Sequence, residues 1–209
     1  MTPARTPPSA DRPRLGLRER KKIRTRTAIR DATYALIGEQ GYDATTIEQI
    51  AERAEVSPST VLRYFPAKED IVLTDEYDDA ILRELHGRPA DEPWTDSLRY
   101  ALRKAAARAT AEEPGITRLR WRLVAEVPAV RSRMAQSMSV TGRLLGQALA
   151  ERTGRAPDGL EVRVLTTALM GGLMEAFLYW AEHGHRENLQ DLVDRALTVI
   201  EQGPGRGNP

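Results

Sequence analysis

The chain has 209 residues and a formal net charge of +1 at pH 7, with 41% hydrophobic and 29% charged residues. This composition is typical of a soluble globular protein that buries a core of its own. Because the chain contains no cysteine, disulfide bonds and thiolate metal sites are excluded, and we expect a reducing, cytoplasmic location.

The positive charge is concentrated near the N-terminus. Residues 1–27 contain nine lysines and arginines but only two acidic residues, Asp11 and Glu19. Residues 1–17 are rich in proline, serine and arginine and have no apolar run, which predicts a disordered basic arm and no secretory signal. A basic end on a near-neutral body indicates contact with a polyanion, although a charge run by itself is more often a solvated tail.

The first predicted helix begins at about Leu17 and ends at Gly41, where a left-handed cap favours glycine. Helical spacing places four of its residues on one inward face: Ala28, Ala32, Ala35 and Leu36.

The next two predicted helices are short and are separated by about three residues. The first of the pair, in TTIEQIAERA, has Thr45 and Glu48 at the spacing of a capping box. The second has Ser57 as its N-cap and Pro58 at the first helical position, and Pro66 ends it. Two helices joined so tightly have to cross at a steep angle, which predicts a helix-turn-helix.

The second helix of this pair has one apolar side and one polar side. Val56, Val61 and Phe65 are expected to pack against the helix before it. The side chains left on the outer face are Ser59, Thr60, Arg63 and Tyr64.

The rest of the chain also has helical periodicity, so we predict an all-α protein of about nine helices. Residues Lys68 to His86 are expected to form one helix, and residues 87–94 a linker. Proline and glycine then separate five further helices, which cover approximately residues 98–113, 116–127, 130–153, 160–180 and 189–200.

The segment from Val162 to Trp180 is the most apolar in the chain, but Arg163 and Glu175 leave too short an uncharged stretch to cross a membrane. A soluble helix that is apolar all round has to be covered all round. We expect it to form a four-helix dimer seam with the final helix and a second copy; the alternative is a central helix in a monomeric core. The predicted interface residues are Leu165, Leu169, Gly172, Leu173, Ala176, Trp180, Leu189, Leu192, Val193, Ala196 and Ile200.

A basic helix, then TTIEQIAERAEVSPSTVLRYFPAKEDI, then a helical domain ending in two apolar helices resembles the TetR family of transcriptional regulators. The motif resemblance covers residues 18–75. Three positions depart from the family pattern: Glu55 and Ser59 replace usual glycines, and Leu62 replaces a usual tyrosine.

The resemblance implies a three-helix DNA-binding domain over residues 18–66, a helical ligand-binding and dimerisation domain over 67–202, and a disordered tail over 203–209. It also implies a homodimeric repressor that leaves a palindromic operator on duplex DNA when a small apolar or amphipathic ligand binds. No cofactor, metal or membrane is implied. The alternative is a helix-turn-helix regulator without small-molecule control, which acts as an activator or through protein partners.

The recognition helix is expected to enter the major groove by its N-terminal end. Arg63 is able to read guanine with two hydrogen bonds, and hydroxyls bond to several bases; the competing view is that Arg63 and Lys68 only solubilise a surface. The predicted DNA-binding residues are Thr45, Thr46, Ser57, Pro58, Ser59, Thr60, Leu62, Arg63, Tyr64 and Lys68, together with Arg20 and Arg24.

The family resemblance also implies a ligand cavity between the middle helices. Methionine and aromatic side chains make adaptable apolar walls, although each residue taken singly is more often plain core. The predicted lining residues are Leu98, Leu102, Trp121, Leu123, Met134, Met138, Leu145, Met170, Met174 and Phe177.

Catalysis is not predicted. His183 and His185 could form a metal pair, but no carboxylate is spaced to complete the site, and the chain has no phosphate loop or nucleophile motif. A helical protein that binds a partner without regulating transcription remains a second alternative.

Overall fold

The structure, a computed structural model, describes residues 16–74 and 77–203, without the side chains of residues 77–79. Most of the predicted basic arm and the tail after residue 203 lie outside this part of the chain. Within it there are helices and no strands, which confirms the all-α fold. The helices are α1 (Leu17–Gln40), α2 (Ile47–Arg53), α3 (Pro58–Tyr64), α4 (Lys68–Leu73), α5 (Tyr77–His86), α6 (Trp94–Glu112), α7 (Pro114–Glu126), α8 (Pro128–Thr153), α9 (Leu160–Glu182) and α10 (Leu189–Gln202).

The chain divides into two compact units, one up to Pro66 and one from Ala67. The first unit contains α1 to α3. Gly41 caps the end of α1, and its φ of 86° is a positive value that glycine adopts without strain.

The predicted inward face of α1 is confirmed for Ala32 and Leu36, which are buried, and is wrong for the other two residues. Ala35 is exposed and Ala28 is half-buried. Thr33 is fully buried, because its hydroxyl donates a hydrogen bond of 2.8 Å to the carbonyl of Ile29 and so needs no water. The buried face consists of Ile29, Ala32, Thr33, Tyr34, Leu36 and Ile37.

The capping box predicted at the start of α2 is displaced by one residue. The N-cap is Thr46, whose hydroxyl accepts a hydrogen bond of 3.3 Å from the backbone N–H of Gln49. The Gln49 side chain accepts in return from the backbone N–H of Thr46, at 3.0 Å. Thr45 is buried instead, and its hydroxyl donates to the carbonyl of Gly41 at 2.8 Å. The pairing of Thr45 with Glu48 was therefore wrong.

The second unit contains α4 to α10, and its first segment was predicted as one helix from Lys68 to His86. The structure has two helices here, because the backbone leaves the helical region at Thr74, where ψ is 117°. The Thr74 hydroxyl donates to the carbonyl of Asp70 at 2.6 Å, a local bond that competes with helix continuation.

The predicted breaks between the later helices agree with the structure. Pro114 and Pro128 each occupy the first position of a helix, where a missing N–H costs nothing. Gly154, with a φ of 66°, ends α8.

Helix α9 is the centre of this unit, since it packs against α7, α8 and α10. Helix α10 also packs against α6, and arginines of α6 meet acids of α10 at that contact. Arg99 lies 3.1 Å from Asp194 and 2.9 Å from Glu201, and Arg103 pairs with the same Asp194.

The predicted dimer seam contains seven positions that belong to the core of the single chain. These are buried within the single chain: Leu169, Leu173, Ala176, Trp180, Leu189, Leu192 and Val193. Gly172 also serves internal packing, because a Cβ there would lie 2.7 Å from Cδ1 of Ile200. The other three, Leu165, Ala196 and Ile200, are half-buried. Apolar spacing shows that a helix has a buried face but does not show which chain buries it.

By length and composition alone α9 would suffice to cross a membrane, as would the core helix of many soluble proteins. Its contacts with three neighbouring helices account for much of its apolar character. The apolar residues it still exposes form a narrow stripe that includes Leu160, Val164 and Tyr179.

The turn between α9 and α10 contains a partly buried histidine. His185 has a φ of 60°, and its ring lies edge-on to Trp180 with 4.4 Å between the centroids. Its Nε2 is buried without a hydrogen-bond partner among the described residues. Burial first, and then the positive charges of Arg118 and Arg122, lower the pKa of His185 below its ordinary value.

We expect this histidine to make the free energy of unfolding decrease in mild acid. Its folded pKa lies below the unfolded value of about 6.5, so between the two values the unfolded chain holds a proton that the folded chain lacks. Stability is therefore retained above about pH 6.5 and is lost as the pH falls toward the folded pKa. Urea denaturation between pH 7.5 and 5 should show a smaller loss of unfolding free energy for His185→Asn, because asparagine does not titrate. Asparagine is chosen because it tolerates the left-handed backbone. The exposed His183→Asn is the control; equal losses in wild type and His185→Asn would contradict this assignment.

Candidate nucleic-acid interface and ligand cavity

The N-terminus of α3 carries three hydroxyl groups in one hydrogen-bonded cluster. The Ser57 hydroxyl accepts from the backbone N–H of Thr60 at 3.2 Å and caps the helix. It also lies 2.9 Å from the hydroxyls of both Ser59 and Thr60. The hydroxyls are thereby held at the helix end, where unsatisfied N–H groups favour anionic partners.

Helix α3 is fixed from behind by apolar packing. Val61 and Phe65 are buried, as are Ile50 and Ala51 in the neighbouring helix α2. The guanidinium of Arg26, in α1, lies 4.6 Å from the centre of the Phe65 ring. A helix of seven residues is too short to be stable alone, so this packing determines its position.

The opposite face of α3 is open to solvent. Pro58, Ser59 and Arg63 are exposed, and Leu62 keeps 48% of its surface accessible. Tyr64 is half-buried, with the Arg63 guanidinium 5.6 Å from its ring centre. The face presents hydroxyls, one aliphatic group and one arginine, a combination able to contact base edges and phosphates.

The other predicted DNA-binding residues lie outside α3. Arg20 and Arg24 are exposed on α1, and Thr46 is exposed as the N-cap of α2. Thr45 is withdrawn from the predicted interface, because its buried hydroxyl is used by the carbonyl of Gly41. Lys68 belongs to the second unit, as the first residue of α4.

The turn between α2 and α3 has a non-glycine residue in a left-handed conformation. Glu55 has a φ of 54°, and the next residue, Val56, donates its N–H to the carbonyl of Ala51 at 2.9 Å. The backbone here requires the geometry that the glycine of the family pattern supplies, and Glu55 adopts it at an energetic cost.

A cavity of about 140 Å³ lies inside the second unit. We call it the central cavity. Trp121 and Phe177 stack in its wall with ring centres 4.3 Å apart. Seven of the ten predicted lining residues surround it: Leu102, Trp121, Met134, Met138, Leu145, Met170 and Phe177.

The remaining three predicted lining residues do not reach the central cavity. Leu98 lines a second cavity, Met174 lines an open groove between α8 and α9, and Leu123 is buried elsewhere. The sequence prediction also missed lining residues that are small, polar or charged. These are Ala105, Ala106, Ala109, Thr117, Arg120, Ser137 and Thr141, together with the apolar Leu73, Ile81, Leu173 and Val193. Most of these missed residues could have been predicted from the sequence, because they recur at helical spacing with the predicted lining residues.

Arg120 is the buried charge in the wall of the central cavity. Its Nε donates to the carbonyl of Val72 at 3.1 Å and its Nη2 to the carbonyl of Thr74 at 3.0 Å. It thus holds the end of α4 where the helix stops. Within the described residues no three histidine, aspartate, glutamate or cysteine side chains are grouped so as to hold a metal ion.

Helix α3 packs on α2 across a tight turn and leaves its outer face exposed, and a helical domain follows it in the chain. This is the arrangement of a helix-turn-helix protein. Residues 29–74 match the family model described as bacterial regulatory proteins of the tetR family. Residues 92–205, more than half of the chain, match the model described as the MftR C-terminal domain of TetR proteins. The chain belongs to the TetR family. This family consists of bacterial regulatory proteins.

Two curated relatives extend this similarity. The chain is 35% identical over 147 residues to the transcriptional regulator TcmR of Streptomyces glaucescens, a match that covers 66% of this chain and 65% of TcmR, slightly less than two thirds of its length. It is 27% identical over 191 residues to the transcriptional repressor KstR of Rhodococcus jostii, covering 88% of this chain and 84% of that repressor.

Solved structures of low sequence identity share the fold. The fatty acid degradation regulator FadR from Bacillus halodurans superposes with a TM-score of 0.59 at 21% identity, over 87% of this chain and 96% of that one. FadR from Thermus thermophilus, solved in complex with lauroyl-CoA, has a TM-score of 0.59 at 23% identity, over 88% of this chain and 98% of that one.

We expect Glu55→Gly to raise the free energy of unfolding. A left-handed conformation costs a non-glycine residue roughly 1–2 kcal/mol, and the greater flexibility of unfolded glycine offsets part of that gain. The net stabilisation should be about 0.5–1 kcal/mol, measured by chemical denaturation. Glu52→Gly, in the helical conformation three residues earlier, is the control and should destabilise by about 1 kcal/mol. A decrease in stability for Glu55→Gly would show that the turn is not strained.

Proposed function

We propose that the protein is a homodimeric repressor that binds a palindromic operator and releases it when a small hydrophobic ligand enters its C-terminal domain. The observation that carries the DNA-binding part is the open face of α3, with its hydroxyl cluster at the N-terminus and Arg63 one turn further along. Such a face fits the major groove, while Val61 and Phe65 hold the helix from behind.

The proposed contacts divide into two kinds. Base contacts come from the exposed N-terminal face of α3, where Pro58, Ser59 and Arg63 lie, with Leu62 able to touch a thymine methyl. Phosphate contacts come from residues that only need to reach the backbone of the duplex: Thr46, Thr60, Tyr64, Lys68, Arg20 and Arg24. Ser57 contributes by capping the helix that presents them.

The dimer contact is proposed on the outer side of α9, because its inner side is already occupied by the subunit core. Leu160 and Val164 are 72% and 58% exposed, and Tyr179 lies further along the helix. Val199 on α10 is 52% exposed, which continues the apolar surface onto the last helix. A symmetric pair of chains would present two copies of α3 to two half-sites of a palindrome.

The ligand is proposed to occupy the central cavity. A cavity of comparable size is large enough to hold a ligand such as benzene, and the flexible side chains of Met134, Met138 and Met170 are suited to enlarging it. The lauroyl-CoA complex of Thermus thermophilus FadR supports an apolar or amphipathic ligand. The family and the absence of cysteine support a cytoplasmic location.

Selection of bound sequences from random duplex DNA tests the proposed operator. We expect a palindromic consensus, and Arg63→Gln should weaken binding to it by about tenfold or more, since a bidentate base contact is worth about 1–3 kcal/mol. Arg53→Gln removes the same charge at an arginine that pairs with Glu39 at 2.7 Å, and it should retain the sequence preference. Binding of all duplexes with equal affinity at moderate salt would contradict the proposal.

Filling the central cavity tests the proposed ligand control separately. Ala105→Leu should retain operator affinity but lose release by apolar compounds, because leucine occupies space that the ligand needs. Indole and lauroyl-CoA serve as probes, with release followed by fluorescence anisotropy of labelled operator DNA. Ala107→Leu, on the same helix but away from the cavity, is the control. Release from Ala105→Leu at the wild-type probe concentration would place the ligand elsewhere.

A further inference from the structure

A second cavity, which we call the outer cavity, lies among α5, α6, α8 and α9 and has a volume of about 360 Å³. It is larger than the central cavity, and of the described residues that line the two, only Leu145 is common to both. Its walls are mainly apolar, formed by side chains that include Leu85, Trp94, Leu98, Leu149, Leu165 and Leu169. Its volume is within the range of small-molecule sites in proteins.

Two arginines line the outer cavity, and they differ in their partners. Arg88 forms an ion pair with Glu92, which also accepts a hydrogen bond from Ser97. These bonds, from Arg88 first and then Ser97, lower the pKa of Glu92 to about 2, so its carboxylate stays ionised at neutral pH. The charge of Arg88 is therefore compensated within the protein.

Arg152 forms no ion pair of its own among the described residues, and it shares the negative charge of Glu92, which Arg88 already binds. Its Nη2 donates to the backbone carbonyls of Pro89 and Glu92, the latter at 2.9 Å, and these bonds fix the side chain in place. No carboxylate of the described residues lies within 4.0 Å of it. Its Nε is buried and has no hydrogen-bond partner in this part of the chain. Leaving a buried charged donor unused is costly, by roughly 1–3 kcal/mol or more.

Glu151, the acidic residue next to Arg152 in the chain, does not neutralise the charge of Arg152. Glu151 lines the same cavity, but its side chain is 74% exposed and lies 3.9 Å from the ring of His86. The outer cavity thus combines an apolar interior with two arginines that share the carboxylate of Glu92, and this excess of positive charge favours an anionic group on an apolar body.

We propose that the outer cavity binds a small apolar monocarboxylic acid, whose carboxylate accepts hydrogen bonds from Arg152 and whose hydrocarbon part contacts the leucine side chains. This site is distinct from the central cavity and does not depend on the proposed operator binding. Both a flexible fatty acid and a flat aromatic acid have this chemistry, and Trp94 offers a ring face for the second.

Isothermal titration calorimetry with the full chain tests the proposal. Decanoate should bind about tenfold or more tightly than decanol, because a hydrogen bond to a charged group is worth about 1.5–3 kcal/mol. Arg152→Gln should abolish this difference, whereas Arg155→Gln, an exposed arginine just after the same helix, should keep it. A parallel titration with 2-naphthoate distinguishes the aromatic source from the fatty acid. Equal affinity for decanoate and decanol, with no binding of 2-naphthoate, would overturn the proposal.

A second variant covers the outcome in which Arg152→Gln fails to fold. Leu165→Trp fills the outer cavity from a half-buried position, so it should abolish binding of decanoate while the chain keeps its circular dichroism spectrum. Ala105→Leu, which fills only the central cavity, should bind decanoate with wild-type affinity. The reverse pattern, with loss in Ala105→Leu and retention in Leu165→Trp, would assign the acid to the central cavity and overturn the inference.

Discussion

The DNA-binding surface depends on the contact between the apolar back of α3 and helix α2. A helix of seven residues has little stability of its own, so its position comes from the burial of Val61 and Phe65 against a layer that includes Ile50 and Ala51. The same packing leaves Pro58, Ser59 and Arg63 in solvent. The buried face of α3 therefore supplies the free energy that holds the helix in place, and the exposed face is free to vary with the DNA sequence it contacts.

The second unit is organised around α9 in a comparable way. Its inner side fills the core, and the ion pairs of Arg99 and Arg103 with Asp194 hold α6 against α10. Small residues allow α8 to approach α9 closely. The size of the cavities between the helices is therefore set by individual side chains. Gly142 shows how little room remains, since a Cβ there would lie 3.1 Å from Cγ of Met170.

The fold was largely predictable from the sequence because glycine and proline mark the helix ends and act locally. Gly41, Pro114 and Gly154 each have a backbone requirement that the sequence reveals directly. The choice of Thr45 over Thr46 as the cap failed, since both are threonines and only the packed structure decides which hydroxyl is buried. The sequence could not assign the dimer seam for a related reason: Leu169 and Trp180 have the spacing of a buried stripe and are buried within the single chain, and burial within one chain or between two gives the same pattern.

Leu145 is a wall shared by the central and outer cavities. Two occupants on opposite sides of one side chain cannot move it independently, so each alters the shape that the other meets. Any such effect has to be reciprocal, because a free energy of coupling has one value whichever occupant arrives first. Through this single leucine, the two proposed ligands would each change the affinity of the protein for the other.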